Sequence, residues 1–266
     1  MIKQGRIAEL RAKENERFLA NHQKSGELFS RSQDLMPDGV PMSWMSKWPG
    51  AFPIFVDTAK GAKFIDVDGN NYIDFCLGDT GSMTGHSPDA VVAAIQEQVG
   101  KGLSVMLPSK DAAPVAAELA ASFNLPLWQF TVSATDANRH AIRYSRLITG
   151  KSKVIVIDRC YHGSVDESFA TLDESKKTVA REGNIGAPVP LDLTTRVVAF
   201  NDLAAIKAAL KHRDVAAILM EPAMTNVGIV VPQEGYLKEV EKLAKQYGAL
   251  LIIDETHTIS VGVGGM

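Results

Sequence analysis

The stretch Ala249-Leu-Leu-Ile-Ile-Asp254 ends an apolar run with a carboxylate, and it follows a segment of helical pattern at residues 233–247. Such an apolar run is typical of a strand in a parallel sheet. A carboxylate at the end of that strand costs free energy unless a partner pairs with it. Asp254 is therefore the first candidate functional residue. Its partner would be a protonated pyridine nitrogen, a bound metal or a buried arginine.

Upstream of this strand, short apolar strands alternate with amphipathic helices from about residue 88. Helices are predicted at 88–101, 109–123, 136–149, 202–212 and 233–247, and strands at 128–132, 153–157, 195–200, 215–220 and 249–254. This alternation predicts an α/β fold with a mostly parallel central sheet and helices on both faces.

The first part of the chain has a different pattern. Residues 3–37 predict a charged amphipathic helix, residues 40–53 are irregular and rich in aromatic side chains, and residues 54–75 predict an antiparallel meander with Gly-containing turns. We therefore expect two domains: an N-terminal helix, loop and meander at 1–87, and a sheet domain at 88–266.

Composition excludes several classes of function. The chain has 266 residues, 45% of them hydrophobic, and a formal net charge of −3, so nothing indicates a nucleic-acid or membrane partner. No apolar run approaches the roughly 18 residues that a membrane span needs. The two cysteines, Cys76 and Cys160, are too few for a disulfide framework or a zinc site. These features predict a cytoplasmic protein without a bound metal.

Polar side chains follow three of the other predicted strands, at the sheet edge where ligands gather. Ser133, Ala134 and Thr135 lie where a strand turns directly into a helix, which suits a phosphate or, alternatively, an ordinary helix N-cap. Tyr161 offers an aromatic face for a flat ligand. Glu221 is either a cofactor or substrate contact, or part of a loop salt bridge.

Taken in order, these segments resemble class III aminotransferases of fold type I, a group that includes glutamate-1-semialdehyde 2,1-aminomutase. The resemblance runs from about residue 28 to the end. It is carried by 66–75 (Asp-Val-Asp-Gly-Asn-Asn-Tyr-Ile-Asp-Phe), 84–88 (Thr-Gly-His-Ser-Pro), 133–138 (Ser-Ala-Thr-Asp-Ala-Asn), 141–143, 149–151, 161–163 (Tyr-His-Gly), 221–222 and 254–255.

The resemblance implies a site for pyridoxal 5'-phosphate (PLP). Ser133, Ala134 and Thr135 match the family's Ser-Gly-Thr phosphate-binding turn. Tyr161 would stack on the pyridine ring. Asp254 would pair with the ring nitrogen and keep it protonated, so that the ring acts as an electron sink.

Other positions follow the family pattern less closely. Glu221 matches a glutamate near the cofactor, and His162 belongs to the motif of Tyr161. The family glycine is Ala134 here, which narrows the backbone conformations available. Where the family prefers an aliphatic residue against the ring, this chain has Thr256, followed by an unexpected His257.

The resemblance also implies a lysine that forms a Schiff base with PLP and moves the proton. In the family it lies beyond the aspartate strand, and we find no equivalent up to Met266. Lys238, Lys242 and Lys245 lie on the preceding helix, on the wrong side of the strand. We therefore expect this chain to be an inactive piece of a longer enzyme that lacks the C-terminal part, with the catalytic residue outside it.

The substrate class stays open. The parent function is predicted to be transamination of an amine or amino acid with a keto acid or aldehyde, in a homodimer. Trp44 and Trp48 are candidate substrate contacts, and there is no arginine for a carboxylate between Val40 and Pro53. Alternatives are intramolecular amino transfer of the aminomutase type and a non-catalytic remnant that kept the fold. A nicotinamide-dependent enzyme is disfavoured because no G-x-G-x-x-G turn opens a helix.

Overall fold

A computed structural model describes residues 4–266. The chain divides into two compact units, residues 4–107 and 108–266. The predicted division after residue 87 lies before a helix that the structure assigns to the first unit. Within the described residues, no helix is both long enough and apolar enough to cross a membrane.

The first unit contains helices and a small antiparallel sheet, as the sequence pattern indicates. Its elements are α1 (Gln4–Asn21), α2 (Gln23–Gln33), β1 (Val56–Lys60), β2 (Lys63–Asp66), β3 (Asn71–Ile73) and α3 (Asp89–Val99). The strands pair in the order β1-β2-β3.

The single helix predicted at 3–37 is instead two helices, and residue 3 lies outside the described residues. His22 has a non-helical backbone and is hydrogen-bonded through Nε2 to Tyr72 Oη at 2.7 Å. Asp68 accepts hydrogen bonds from the backbone N–H groups of Lys24 and Ser25 at the start of α2. These contacts with the meander satisfy the first turn of α2 and thereby end α1.

The second unit carries the predicted alternation of helices and strands. Its elements are α4 (Ala112–Phe123), α5 (Ala134–Thr149), β4 (Lys153–Ile157), β5 (Ala170–Leu172), β6 (Thr178–Ala180), α6 (Leu191–Thr194), β7 (Thr195–Val198), α7 (Leu203–Leu210), β8 (Val215–Met220), α8 (Tyr236–Tyr247) and β9 (Leu250–Ile253).

A four-stranded parallel sheet in the order β7-β4-β8-β9 forms the centre of this unit. Every residue of β8 is buried, which requires cover on both faces of the strand. Buried side chains of α5, α7 and α8 belong to the same core. In chain order, β7 is added on one side of β4, and β8 and β9 are then added on the other side. The order of the strands across the sheet therefore reverses beside β4. Such a reversal opens a crevice at the carboxyl ends of the strands.

The strand predicted at 128–132 does not form. This segment is extended without strand pairing, and Phe130 and Val132 are exposed. Alternating apolar residues make a strand only when a neighbour supplies the ladder of hydrogen bonds. Among residues 4–266 no strand pairs with this segment, and β9 forms one edge of the four-stranded sheet.

Candidate active site

The amino terminus of α5 lies at the edge of the crevice. Ser133 is the N-cap, and its Oγ accepts a hydrogen bond from Asp136 N at 3.2 Å. In the described chain the backbone N–H groups of Ala134 and Thr135 have no partner, so two donors at the positive end of the helix remain for an anion. Ala134 has an ordinary negative φ as the first helical residue. Alanine at this position therefore causes no backbone strain.

The loop that follows β4 packs closely on this turn. Thr135 Oγ1 accepts a hydrogen bond from Ser164 N at 3.1 Å. Gly163 has a φ of +74°, and a Cβ atom at this position would lie 2.0 Å from Thr135 Oγ1. Only glycine allows both this backbone conformation and this approach. The loop thereby holds Tyr161 and His162 beside the start of α5.

Asp254 lies directly after β9, and its backbone N–H donates to Met220 O at 2.9 Å. Although β9 is an edge strand with partly exposed side chains, the Asp254 side chain is only 6% exposed. Its Oδ2 accepts hydrogen bonds from Asn138 Nδ2 at 2.7 Å and from His162 Nδ1 at 2.8 Å. Its Oδ1 accepts from Thr256 N at 3.0 Å and Thr256 Oγ1 at 2.5 Å. Four donors thus compensate the burial of one carboxylate.

The pair His162–Asp254 is ionised at neutral pH. Burial alone would lower the pKa of His162, but the hydrogen bond with Asp254, the neighbouring Cys160 side chain and the charge of Asp254 together outweigh burial and raise the pKa to about 9. Burial would raise the pKa of Asp254, but the hydrogen bonds from His162 and Thr256 hold it well below the usual range. The carboxylate therefore stays charged at neutral pH.

Two buried polar atoms at this site have no hydrogen-bond partner in the described chain: His162 Nε2 and Glu221 Oε1. The other oxygen of Glu221 accepts from Thr225 N at 3.0 Å and Thr225 Oγ1 at 2.6 Å. Buried polar atoms without partners are uncommon in folded proteins, and one explanation is a ligand that the protein normally holds.

The residues predicted to bind a cofactor line one cavity of about 170 Å³. All eight contribute to its wall, together with Gly163 and His257: Ser133, Ala134, Thr135, Tyr161, His162, Glu221, Asp254 and Thr256. These residues belong to four separate segments of the chain. Each segment follows a strand or begins a helix, and all four lie at the same edge of the sheet. No lysine is among the ten residues that line the cavity within the described part of the chain.

Trp44 and Trp48 line a different pocket, which lies within the first unit. Its wall is apolar and includes Val40, Ile54 and Phe64, and its volume is about 350 Å³. Both tryptophans are about half exposed. Their role as substrate contacts stays a prediction.

Asn138 was not predicted as a site residue, although it lies in the motif at 133–138. Its side chain is buried and donates to Asp254 Oδ2 and, at 3.3 Å, to His162 O. The sequence does contain one indication, because asparagine is unfavourable in the interior of a helix and is usually kept there by a specific contact. The sequence alone does not show that its partner is Asp254, which lies 116 residues later in the chain.

A flat anionic ligand with a cationic nitrogen suits this cavity. One part of the wall offers free N–H donors and a helix dipole, another offers an aromatic ring, and a third offers an ionised carboxylate.

Comparison with known proteins identifies the family. The profile of class-III aminotransferases matches residues 44–265, and the chain belongs to this family, which is PLP-dependent. The predicted fold type I architecture is confirmed.

The relatives include enzymes with more than one activity. A glutamate-1-semialdehyde 2,1-aminomutase of Ignicoccus hospitalis is 35% identical over 248 residues, which are 91% of this chain and 58% of that protein. A glutamate-1-semialdehyde-aminomutase structure from Pseudomonas aeruginosa PAO1 is 46% identical with a TM-score of 0.95, and the match covers 99% of this chain and 58% of that one. A lysine-to-alanine variant of the Pseudomonas protein was solved with PMP.

An omega-transaminase structure from Sphaerobacter thermophilus is 27% identical with a TM-score of 0.84, and the match covers 91% of this chain and 57% of that one. The chain therefore spans less than three fifths of the length of these relatives.

Raising the pH above neutrality should destabilise the second unit through His162. Its folded pKa, about 9, lies above the ordinary value of 6.5. Its contribution to stability is therefore complete below pH 6.5 and is lost as the pH rises through 9. At about 1.4 kcal/mol for each tenfold change in proton affinity, the loss is roughly 3 kcal/mol. Urea unfolding at pH 6 and pH 10 measures it, with His162→Gln as the control that lacks this component. Equal pH dependence in the two proteins would contradict the assignment.

Replacing Gly163 with alanine should push the loop away from α5. Gly186→Ala is the matched control, because Gly186 also has a positive φ, +70°, but no atom lies within 4 Å of the added Cβ. Both variants incur backbone strain of about 1 kcal/mol, and Gly163→Ala adds an overlap that costs about 1–3 kcal/mol. The difference in unfolding free energy isolates the overlap. If the two variants were equally stable, the close packing of Gly163 on Thr135 would be wrong.

Proposed function

We propose that residues 108–266 form the PLP-binding part of an enzyme that catalyses amino transfer. The main support for this proposal is the ionised Asp254 carboxylate, which lines the same cavity as the amino terminus of α5. The fit is supported by His162 and Glu221, which line that cavity and each have a buried polar atom without a hydrogen-bond partner in the described chain. Membership of a PLP-dependent family and the PMP complex of the Pseudomonas relative support the same ligand.

The chain's own residues divide the work of holding this cofactor. The N–H groups of Ala134 and Thr135, with the hydroxyl of Thr135, are suited to the phosphate because the helix dipole adds positive potential there. The Ser133 hydroxyl, which donates to Asp136 Oδ2 at 3.3 Å, would rotate to join them. Tyr161, about half exposed, offers its ring for stacking. When bound, PLP supplies an electron sink that stabilises negative charge on the carbon bearing the amino group.

Asp254 would bind the ring nitrogen and hold the proton on it. A carboxylate that stays ionised stabilises a neighbouring cation, and it does so more strongly where water is excluded. His162 and Asn138 fix the orientation of Asp254, since both donate to Oδ2. Glu221 Oε1 would accept a hydrogen bond from cofactor or substrate.

We also propose that the lysine used for covalent attachment and proton transfer comes from sequence outside these 266 residues. Two of the lysines on α8 form exposed ion pairs within that helix, Lys242 with Glu239 and Lys245 with Glu241. The share of the relatives' length that the chain spans is consistent with this proposal. The 266-residue chain would accordingly bind PLP without a covalent bond.

The amino transfer that we favour runs between an amine or amino acid and a keto acid or aldehyde. The absence of an arginine between Val40 and Pro53 favours a substrate without a carboxylate over glutamate-1-semialdehyde, because no bidentate carboxylate contact is available from that segment. Intramolecular transfer is the second candidate, since the 46%-identical Pseudomonas relative and the Ignicoccus relative are named as aminomutases. A homodimer and a cytoplasmic location stay predictions.

Asp254→Asn should weaken PLP binding by the 266-residue chain. The exchange keeps the shape of the side chain and removes the charge, so one charge-assisted hydrogen bond is lost, and affinity should fall about 10- to 100-fold. Equilibrium dialysis against PLP measures the dissociation constant. Asp173→Asn is the control, because Asp173 also accepts backbone N–H groups but lies in an exposed turn. Equal PLP affinity of Asp254→Asn and wild type would refute the assignment, and borohydride trapping of PLP on one lysine would refute the non-covalent mode.

The two candidate reactions differ in their need for a second substrate. The full-length protein should convert an amino donor only when a keto acid or aldehyde acceptor is also present. When glutamate-1-semialdehyde is the sole substrate, no product should form. Chromatography of the amino products measures both reactions. Turnover of glutamate-1-semialdehyde without a second substrate would establish the aminomutase instead. No turnover of either kind by the full-length protein that binds PLP would favour the non-catalytic remnant.

A further inference from the structure

The carboxylate of Asp254 already has its full set of hydrogen-bond donors. A carboxylate offers about four lone-pair positions, and Asp254 uses two on each oxygen: Asn138 and His162 on Oδ2, and the N–H and hydroxyl of Thr256 on Oδ1. A ring N–H that binds this carboxylate must therefore displace a donor or share a lone pair with it.

Three of the four donors are fixed by other contacts. Asn138 Nδ2 also donates to His162 O, and both side chains are buried. The His162 ring is fully buried. The third donor, Thr256 N, is part of the backbone. These groups cannot leave Asp254 without a rearrangement of the core or the chain.

The fourth donor, the Thr256 hydroxyl, is the one that can move. Thr256 is an exposed residue that lines the cavity with Asp254. Its O–H rotates about a single bond, and rotation away from Asp254 breaks only the 2.5 Å bond to Oδ1. Water or a ligand in the cavity can then satisfy the hydroxyl.

We infer that Thr256 is a positioning residue whose hydroxyl competes with the cofactor's ring nitrogen for Asp254 Oδ1. This inference rests on the proposed PLP site. The hydroxyl keeps the buried carboxylate satisfied while the site is empty, and it gives up that lone pair when a cationic N–H arrives. The competition lowers affinity for a ring that carries a protonated nitrogen, and it has no effect on a ring without one.

Thr256→Val tests the competition, because valine keeps the branched shape of threonine and removes the hydroxyl. The probes are PLP and its analogue in which CH replaces the ring nitrogen. By equilibrium dialysis at pH 7.5, Thr256→Val should bind PLP roughly fivefold more tightly than wild type, about the worth of one hydrogen bond. The analogue should bind both proteins within about twofold. Thr256→Ser, which restores a hydroxyl, should match wild type with PLP.

The controls separate the possible causes. Equal tightening of PLP and the analogue would show that the added methyl group packs against the ring, and it would overturn the inference. Weaker or unchanged PLP binding by Thr256→Val would overturn it too. If valine prevents folding in a urea titration, Thr256→Ala makes the same prediction with less bulk. Failure of the wild-type chain to bind PLP at all would instead refute the proposed function.

Discussion

The burial of the Asp254 carboxylate constrains the whole site. An ionised carboxylate removed from water is costly unless donors compensate it, and here the donors come from three places: helix α5, the loop after β4, and the turn after β9. Each donor can reach Asp254 only if its own element is correctly placed. The network therefore links the first helix of the crevice to the last strand of the sheet, and the same contacts keep the carboxylate charged and oriented.

Parallel strands make this convergence possible. Because β4, β8 and β9 run in the same direction, the residues that follow them meet at one edge of the sheet. The reversal of strand order beside β4 leaves a crevice at this edge. The buried strands hold the floor of this crevice in place. The close approach of Gly163 to Thr135 then holds the loop after β4 against the start of α5.

Local pattern and the cost of buried charge together predict much of the sheet unit. The alternation from residue 88 onward predicts the parallel sheet, and the carboxylate after an apolar run indicates Asp254 as a functional residue. The strand at 128–132 was wrong because strand formation depends on a neighbour, which the local sequence does not report. Asn138 was missed because its partner lies 116 residues away in the chain. The replacement of glycine by Ala134 was expected to narrow the backbone, yet the position is simply the first residue of a helix.

The proposed role of Asp254 is to hold a proton on the ring nitrogen of PLP. It is tested most directly by nitrogen-15 NMR of PLP labelled at that nitrogen and bound to the 266-residue chain. As the pH is raised from 7.5, the chemical shift should report loss of the ring-nitrogen proton at a higher pH in wild type than in Asp254→Asn, because a neighbouring carboxylate stabilises the pyridinium. Loss of the proton at the same pH in both proteins would contradict this role of Asp254.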